Sequence, residues 1–171
     1  DPKLIESLRQ HYYEIVDGIG AHKTPKAYGA IPTDPYSHTP AGRGAQQPGM
    51  TGQVKEDILC RWGEFGVYAQ GGELFFNPSI VRTEEYLEED KVFEFYDIKN
   101  QKQSITIPKH ALCFTYCQVP IVYHKASNTK GIEVVYSNGE QNKIDQYHLH
   151  SAEAAKLFRR SGEISQIHIY F

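Results

Sequence analysis

Five prolines, Pro25, Pro32, Pro35, Pro40 and Pro48, fall between residues 25 and 48 of a 171-residue chain. A proline fixes its own φ and has no amide hydrogen, so neither a helix nor a central strand can run through this region. The stretch YGAIPTDPYSHTPAGRGAQQPGMTG, residues 28–52, is therefore expected to be irregular. Loops this long inside compact domains are uncommon and are mostly binding loops or disordered linkers. Linkers favour Ser, Glu and Lys over Tyr and His. This segment instead carries Tyr28 and Tyr36 as flat faces, and His22, His38, Gln46, Gln47 and Thr51 as neutral hydrogen-bonding groups. Asp34 and Arg43 add charge, and Gly42 and Gly44 permit close backbone approach. An ordered binding loop is expected.

Helices are expected on both sides of it. From Pro2 to Asp17 the apolar residues Leu4, Ile5, Leu8, Tyr12, Ile15 and Val16 recur at helical spacing, with Pro2 fit for a first turn and Gly18 and Gly20 for the stop. A second helix is predicted from an N-cap at Thr51, with Val54, Ile58, Leu59, Trp62 and Phe65 as its apolar face and Gly63 and Gly66 at its end. Beyond Gly66 the pattern changes to period two. VYAQGGELFFNP reads as two strands around Gly71-Gly72, and Asn138-Gly139 marks a second hairpin. Further strands are predicted at 91–98, 104–107, 111–124 and 164–171, with one short helix capped by Ser151 and facing Ala154, Leu157 and Phe158 inward. The predicted fold is α+β, mainly β: an antiparallel, jelly-roll-like β-sandwich preceded by two helices and a long ordered loop. The division is a helix-loop-helix segment, 1–66, and a C-terminal sandwich, 67–171. The two helices cannot cover their own apolar faces, so they are expected to dock on the sandwich, on another copy or on a partner segment.

A chain that is 40% apolar and 12% aromatic is expected to fold, and a net charge of −3 with scattered Lys and Arg gives no electrostatic case for nucleic acid. No apolar run approaches the roughly 20 residues of a membrane span, so a soluble chain without a membrane partner is expected. The sequence opens on Asp1-Pro2 without Met, which fits a processed protein, a removed tag or a piece of a longer chain. Cys113 and Cys117, placed in one strand, would lie about 13 Å apart and could not bridge. The three cysteines are thus read as small buried hydrophobes. The compartment stays open, bacterial periplasm and secretion included.

Flat rings beside groups that both donate and accept hydrogen bonds fit a saccharide, whose C–H face packs on an aromatic while its hydroxyls need partners. The block from Ala21 to Val81, which contains the phrase GGELFFNP at residues 71–78, resembles the last part of the helical toroid in the six-hairpin glycosidases and disaccharide phosphorylases. In that superfamily a late loop lines the sugar site, a helix follows, and the chain enters a closing β-sandwich. The resemblance implies a carbohydrate-related terminal module, with Tyr28, Tyr36, His38, Arg43, Gln46 and Gln47 contacting a saccharide and His22 and Thr51 forming an outer ring. It also implies an upstream toroid domain, or a partner chain, that completes the fold. The general acid of such enzymes lies upstream of anything present here, so the isolated chain lacks half of the carboxylate pair that glycoside hydrolysis needs. Glu56 is the candidate for the late carboxylate. The plainer account is that Glu56 and Asp57 complement the positive end of their helix. No cofactor is expected.

A different class of function rests on His148 and His150, which project from one face of a strand and could chelate a metal. Set in a β-sandwich they resemble the cupin pattern, with His110, His124 or His168 as a third ligand. The glycine expected six residues before the first His is Asn142, and Glu153 comes three residues after His150, so both cupin spacings fail. A structural interaction module is the remaining alternative. No P-loop, dinucleotide fingerprint, nucleophile elbow or zinc-finger spacing occurs.

Overall fold

The computed structural model describes the backbone of residues 1–18, 33–34, 47–48, 54–125 and 129–171, with side chains through Tyr13 in the first helix and from Ile58 in the second. Two compact units divide the chain, Asp1–Trp62 and Gly63–Phe171. In the first, helix α1 spans Pro2–Gly18, and the two-residue strands β1 (Thr33–Asp34) and β2 (Gln47–Pro48) pair antiparallel, with Asp34 opposite Gln47. Helix α2, Val54–Glu64, crosses the division between the units. Leu4, Ile5 and Leu8 of α1 and Ile58 and Leu59 of α2 are exposed, so these parts of the predicted apolar faces are not buried. No helix among the described residues is long and apolar enough to cross a membrane.

The second unit contains most of the strands. The hairpin β3 (Val67–Gln70) and β4 (Glu73–Phe76) is joined by β11 (His148–Leu149) into a three-stranded sheet ordered β11-β4-β3. Strands β5 (Lys91–Tyr96) and β6 (Lys102–Ile107) form a separate hairpin. The five-stranded sheet is ordered β10-β9-β12-β8-β7, with β7 Ala111–Tyr116, β8 Val119–His124, β9 Gly131–Tyr136, β10 Gln141–Ile144 and β12 Ile164–Tyr170. Helix α3, Ser151–Phe158, packs on β4 and β11. The described chain is α+β and mainly β, with sheets that do not close into a barrel. One pairing departs from the antiparallel expectation: β12 runs parallel to β8, with Ile167 opposite Ile121, and antiparallel to β9. It therefore sits at the centre of its sheet, and Ile167 and Ile169 are fully buried.

Burial alternates as the strand period requires. Leu74, Phe76 and Leu149 point into the core with Ala154 and Leu157 of α3, while Tyr68, Glu73, Phe75, His148 and His150 take the opposite face of the small sheet. Each fully buried Leu or Ile contributes about 1.5–3 kcal/mol. Tyr123 lies at the centre of the aromatic core, edge-on to Phe76, Phe114 and Phe171, and its hydroxyl donates to the Phe65 carbonyl at 2.7 Å. A second cluster of Ile107, Ala111 and Val122, with Phe93 and Ile105 packed against it, ties the β5–β6 hairpin to the large sheet.

The predicted strand over 111–124 is two strands, β7 and β8, folded back at Cys117-Gln118, where both residues have positive φ of 51° and 66°. Cys117 is therefore in a turn and not in a strand with Cys113. The thiols are also less buried than expected: Cys60 is exposed, and Cys113 and Cys117 are half-buried.

Candidate functional site

The small sheet owes its register to its first turn. Gly71 and Gly72 have φ of 61° and 83°, the two left-handed positions of a type I′ turn, whose twist matches that of the strands. The turn sets Gln70 opposite Glu73 and Tyr68 opposite Phe75. Strand β11 adds on the other side with His148 opposite Phe75 and Leu149 opposite Leu74. Tyr68, Phe75 and His148 therefore form one cross-strand row.

The rings of this row are stacked. Tyr68 and Phe75 are parallel within 5° with centroids 4.9 Å apart, and Phe75 and His148 lie at the same spacing with 21° between their planes. Coplanar rings cannot approach so closely, so the three overlap face to face with an offset. Tyr68, on the edge strand, is 48% exposed and ends the stack. A second stacked pair, Tyr147 and Phe171 at 5.2 Å and 14°, shares with this row a groove of about 420 Å³ that Asn77 also lines. The volume falls within the roughly 300–1,000 Å³ usual for small-molecule sites. A larger hollow of about 830 Å³ lies beside the turn at Ser137–Gly139. Two of its lining groups are engaged with Glu153, Tyr136 donating at 2.8 Å and Lys156 at 2.9 Å. The aromatic groove is the better candidate.

Beside the stack, His148 and His150 meet Glu73. His150 Nδ1 is 3.2 Å and His148 Nε2 3.7 Å from the two carboxylate oxygens of Glu73, and the imidazoles contact edge to face at 4.6 Å. One ligand atom from each of the three lies within 4.8 Å of the others. Sequence spacing finds the two histidines but misses Glu73, because its partnership depends on β11 pairing with β4. The third ligands proposed from the sequence lie elsewhere. His124 and His168 face each other in the five-stranded sheet, Nε2 to Nδ1 at 2.9 Å, and His110 is exposed in the turn before β7. The cap of α3 also shifts by one residue: His150, not Ser151, is the N-cap, and its ring makes no cap bond because it reaches Glu73 instead.

The histidine pair on the large sheet is electrostatically distinct. Burial, and next the neighbouring His168, push the imidazole of His124 down to about 4, against an opposing pull from Glu133. His168 is lowered by burial as well. Both rings are held neutral near pH 7, as a 2.9 Å hydrogen bond between imidazoles requires of at least one of them. Burial pushes the Cys113 thiol up to about 12 and raises that of Cys117, so neither is a ready nucleophile.

The saccharide contacts expected from the sequence lie outside the described residues: Tyr28, Tyr36, His38, Arg43, Gln46, His22 and Thr51. Gln47 is placed only by its backbone, opposite Asp34 in the β1–β2 pair, and Glu56 only by its position in α2. The side chains that the structure does bring together, Tyr68, Phe75, Tyr147 and Phe171, were read from the sequence only as strand residues, since alternation shows a shared face but not which strands share it. No protein-family model matches the chain, and no curated protein is significantly similar to it.

Proposed function

We propose that this chain is the carbohydrate-related terminal module of a glycoside hydrolase-like or sugar phosphorylase-like protein. The observation that carries the reading is the groove lined by the Tyr68–Phe75–His148 stack and the Tyr147–Phe171 pair. An exposed ring at the end of a stack offers the flat apolar surface that a pyranose C–H face packs on, and Asn77 and His148 supply groups for its hydroxyls. The resemblance of residues 21–81 to the end of a six-hairpin toroid supports the same ligand class. On that reading the Pro-rich segment contributes its own contacts through Tyr28, Tyr36, His38, Arg43, Gln46 and Gln47, bounded by His22 and Thr51. Glu56 is its candidate late carboxylate, and an upstream toroid domain or partner chain supplies the general acid.

Titration calorimetry of the full chain with a panel of gluco-, galacto- and manno-oligosaccharides tests it. Binding of one class is expected, with Tyr68→Ala and Tyr147→Ala each weakening it about tenfold, the loss of about 1.4 kcal/mol of ring packing. If no saccharide binds, or if neither these replacements nor Tyr36→Ala and Arg43→Ala change the affinity, the reading falls.

A further inference from the structure

We propose that Glu73, His148 and His150 form a binding site for a divalent transition-metal ion of the zinc type. This does not rest on the saccharide reading.

Three observations carry it. The ligand set is two imidazoles and one carboxylate, the composition of three-ligand zinc sites that leave further coordination positions to solvent or a bound ligand. Imidazole selects zinc, cobalt, nickel and copper over calcium and magnesium, which prefer oxygen alone. The spacing is close to what such an ion requires: with bonds of about 2.0–2.2 Å, tetrahedral geometry puts ligand atoms about 3.3–3.5 Å apart. One oxygen of Glu73 lies 3.2 Å from His150 Nδ1 and the other 3.7 Å from His148 Nε2, and one ligand atom from each of the three residues lies within 4.8 Å of the others. Small rotations of His150, whose side chain is 59% exposed, would complete the geometry.

Positioning is the third. Glu73 leaves the Gly71-Gly72 turn at the first residue of β4, and His148 is held against Phe75 with its side chain only 22% exposed. Two of the three ligands are thus fixed by a hairpin and a ring stack before any ion arrives, which lowers the entropy cost of binding. Among the described residues Glu73 has no lysine or arginine as an ion-pair partner, only these two histidines.

The test uses the full chain, tag-free and stripped by chelator, titrated with Co²⁺ and then Zn²⁺ at pH 7.5. One equivalent of Co²⁺ is expected to give a visible ligand-field band that Zn²⁺ abolishes, with calorimetry giving a stoichiometry of one. Glu73→Gln, His148→Ala and His150→Ala should each weaken Zn²⁺ binding at least about tenfold, as even the loss of an outer-shell partner does. His150 is exposed, so His150→Ala should leave the metal-free circular dichroism unchanged and separates loss of a ligand from loss of the fold. No binding below about 1 mM Zn²⁺, or binding undiminished in all three variants, would overturn the proposal. In either case Glu73 and the two histidines only tie the start of β4 to the end of β11.

Discussion

At the scale of the residue, the facing histidines of the five-stranded sheet make stability depend on acidity. His124 stacks on Tyr170 at 4.5 Å and meets His168 at 2.9 Å, with Glu133 nearby accepting from the Tyr170 hydroxyl. The folded chain holds His124 at about 4, below the ordinary 6.5, so between these values the unfolded chain binds more protons than the folded one. Stability is therefore complete above about pH 6.5 and is lost as pH falls toward 4. His124 keeps considerable solvent contact, so its share is about 1–2 kcal/mol rather than the full shift. His168, lowered by burial, acts in the same direction. Urea unfolding at pH 7.5 and pH 4.5 should show this loss in the native sequence and a smaller one in His124→Phe, which keeps a ring against Tyr170 but cannot titrate. Equal losses in the two proteins would place the acid sensitivity elsewhere.

At the scale of the element, the turns decide which strands exist. The hairpins at Gly71-Gly72 and Asn138-Gly139 are legible in the sequence because glycine carries the left-handed positions that such turns require. The turn at Cys117-Gln118 is not, because neither residue announces a turn. Each pays about 1–2 kcal/mol for its left-handed backbone, and the Gln118 side chain answers by donating its Nε2 hydrogen to the Asp97 carbonyl at 3.0 Å. Gly66 is a position of this scale where no side chain fits. Its φ is 66°, its carbonyl accepts from the Asn77 amide at 2.9 Å, and an added Cβ would fall 1.7 Å from the Asn77 oxygen. Gly66→Ala would force the backbone at Gly66 and Asn77 apart, so a loss of more than about 3 kcal/mol is expected. A chemical-denaturation midpoint within error of the native one would contradict this contact.

At the scale of the whole molecule, residues 63–171 hold the aromatic core, the large sheet and the candidate site. A chain begun at Gly63 is expected to give a β-dominated far-ultraviolet spectrum and a single cooperative thermal transition. A broad, non-cooperative melt would show that residues 1–62 are needed to close its core.

Periodicity and turn chemistry act over about ten residues, and within that reach the sequence by itself determined much of this protein: both amphipathic helices, the two glycine hairpins, the mainly β second part and the shared face of His148 and His150. Which strands become neighbours depends on the burial of apolar faces brought together from distant parts of the chain, and only the tertiary structure decided it. That is why Glu73 could not be matched to two histidines more than seventy residues away, why Tyr68, Phe75 and His148 became one row, and why β12 came to lie parallel to β8 at the centre of its sheet.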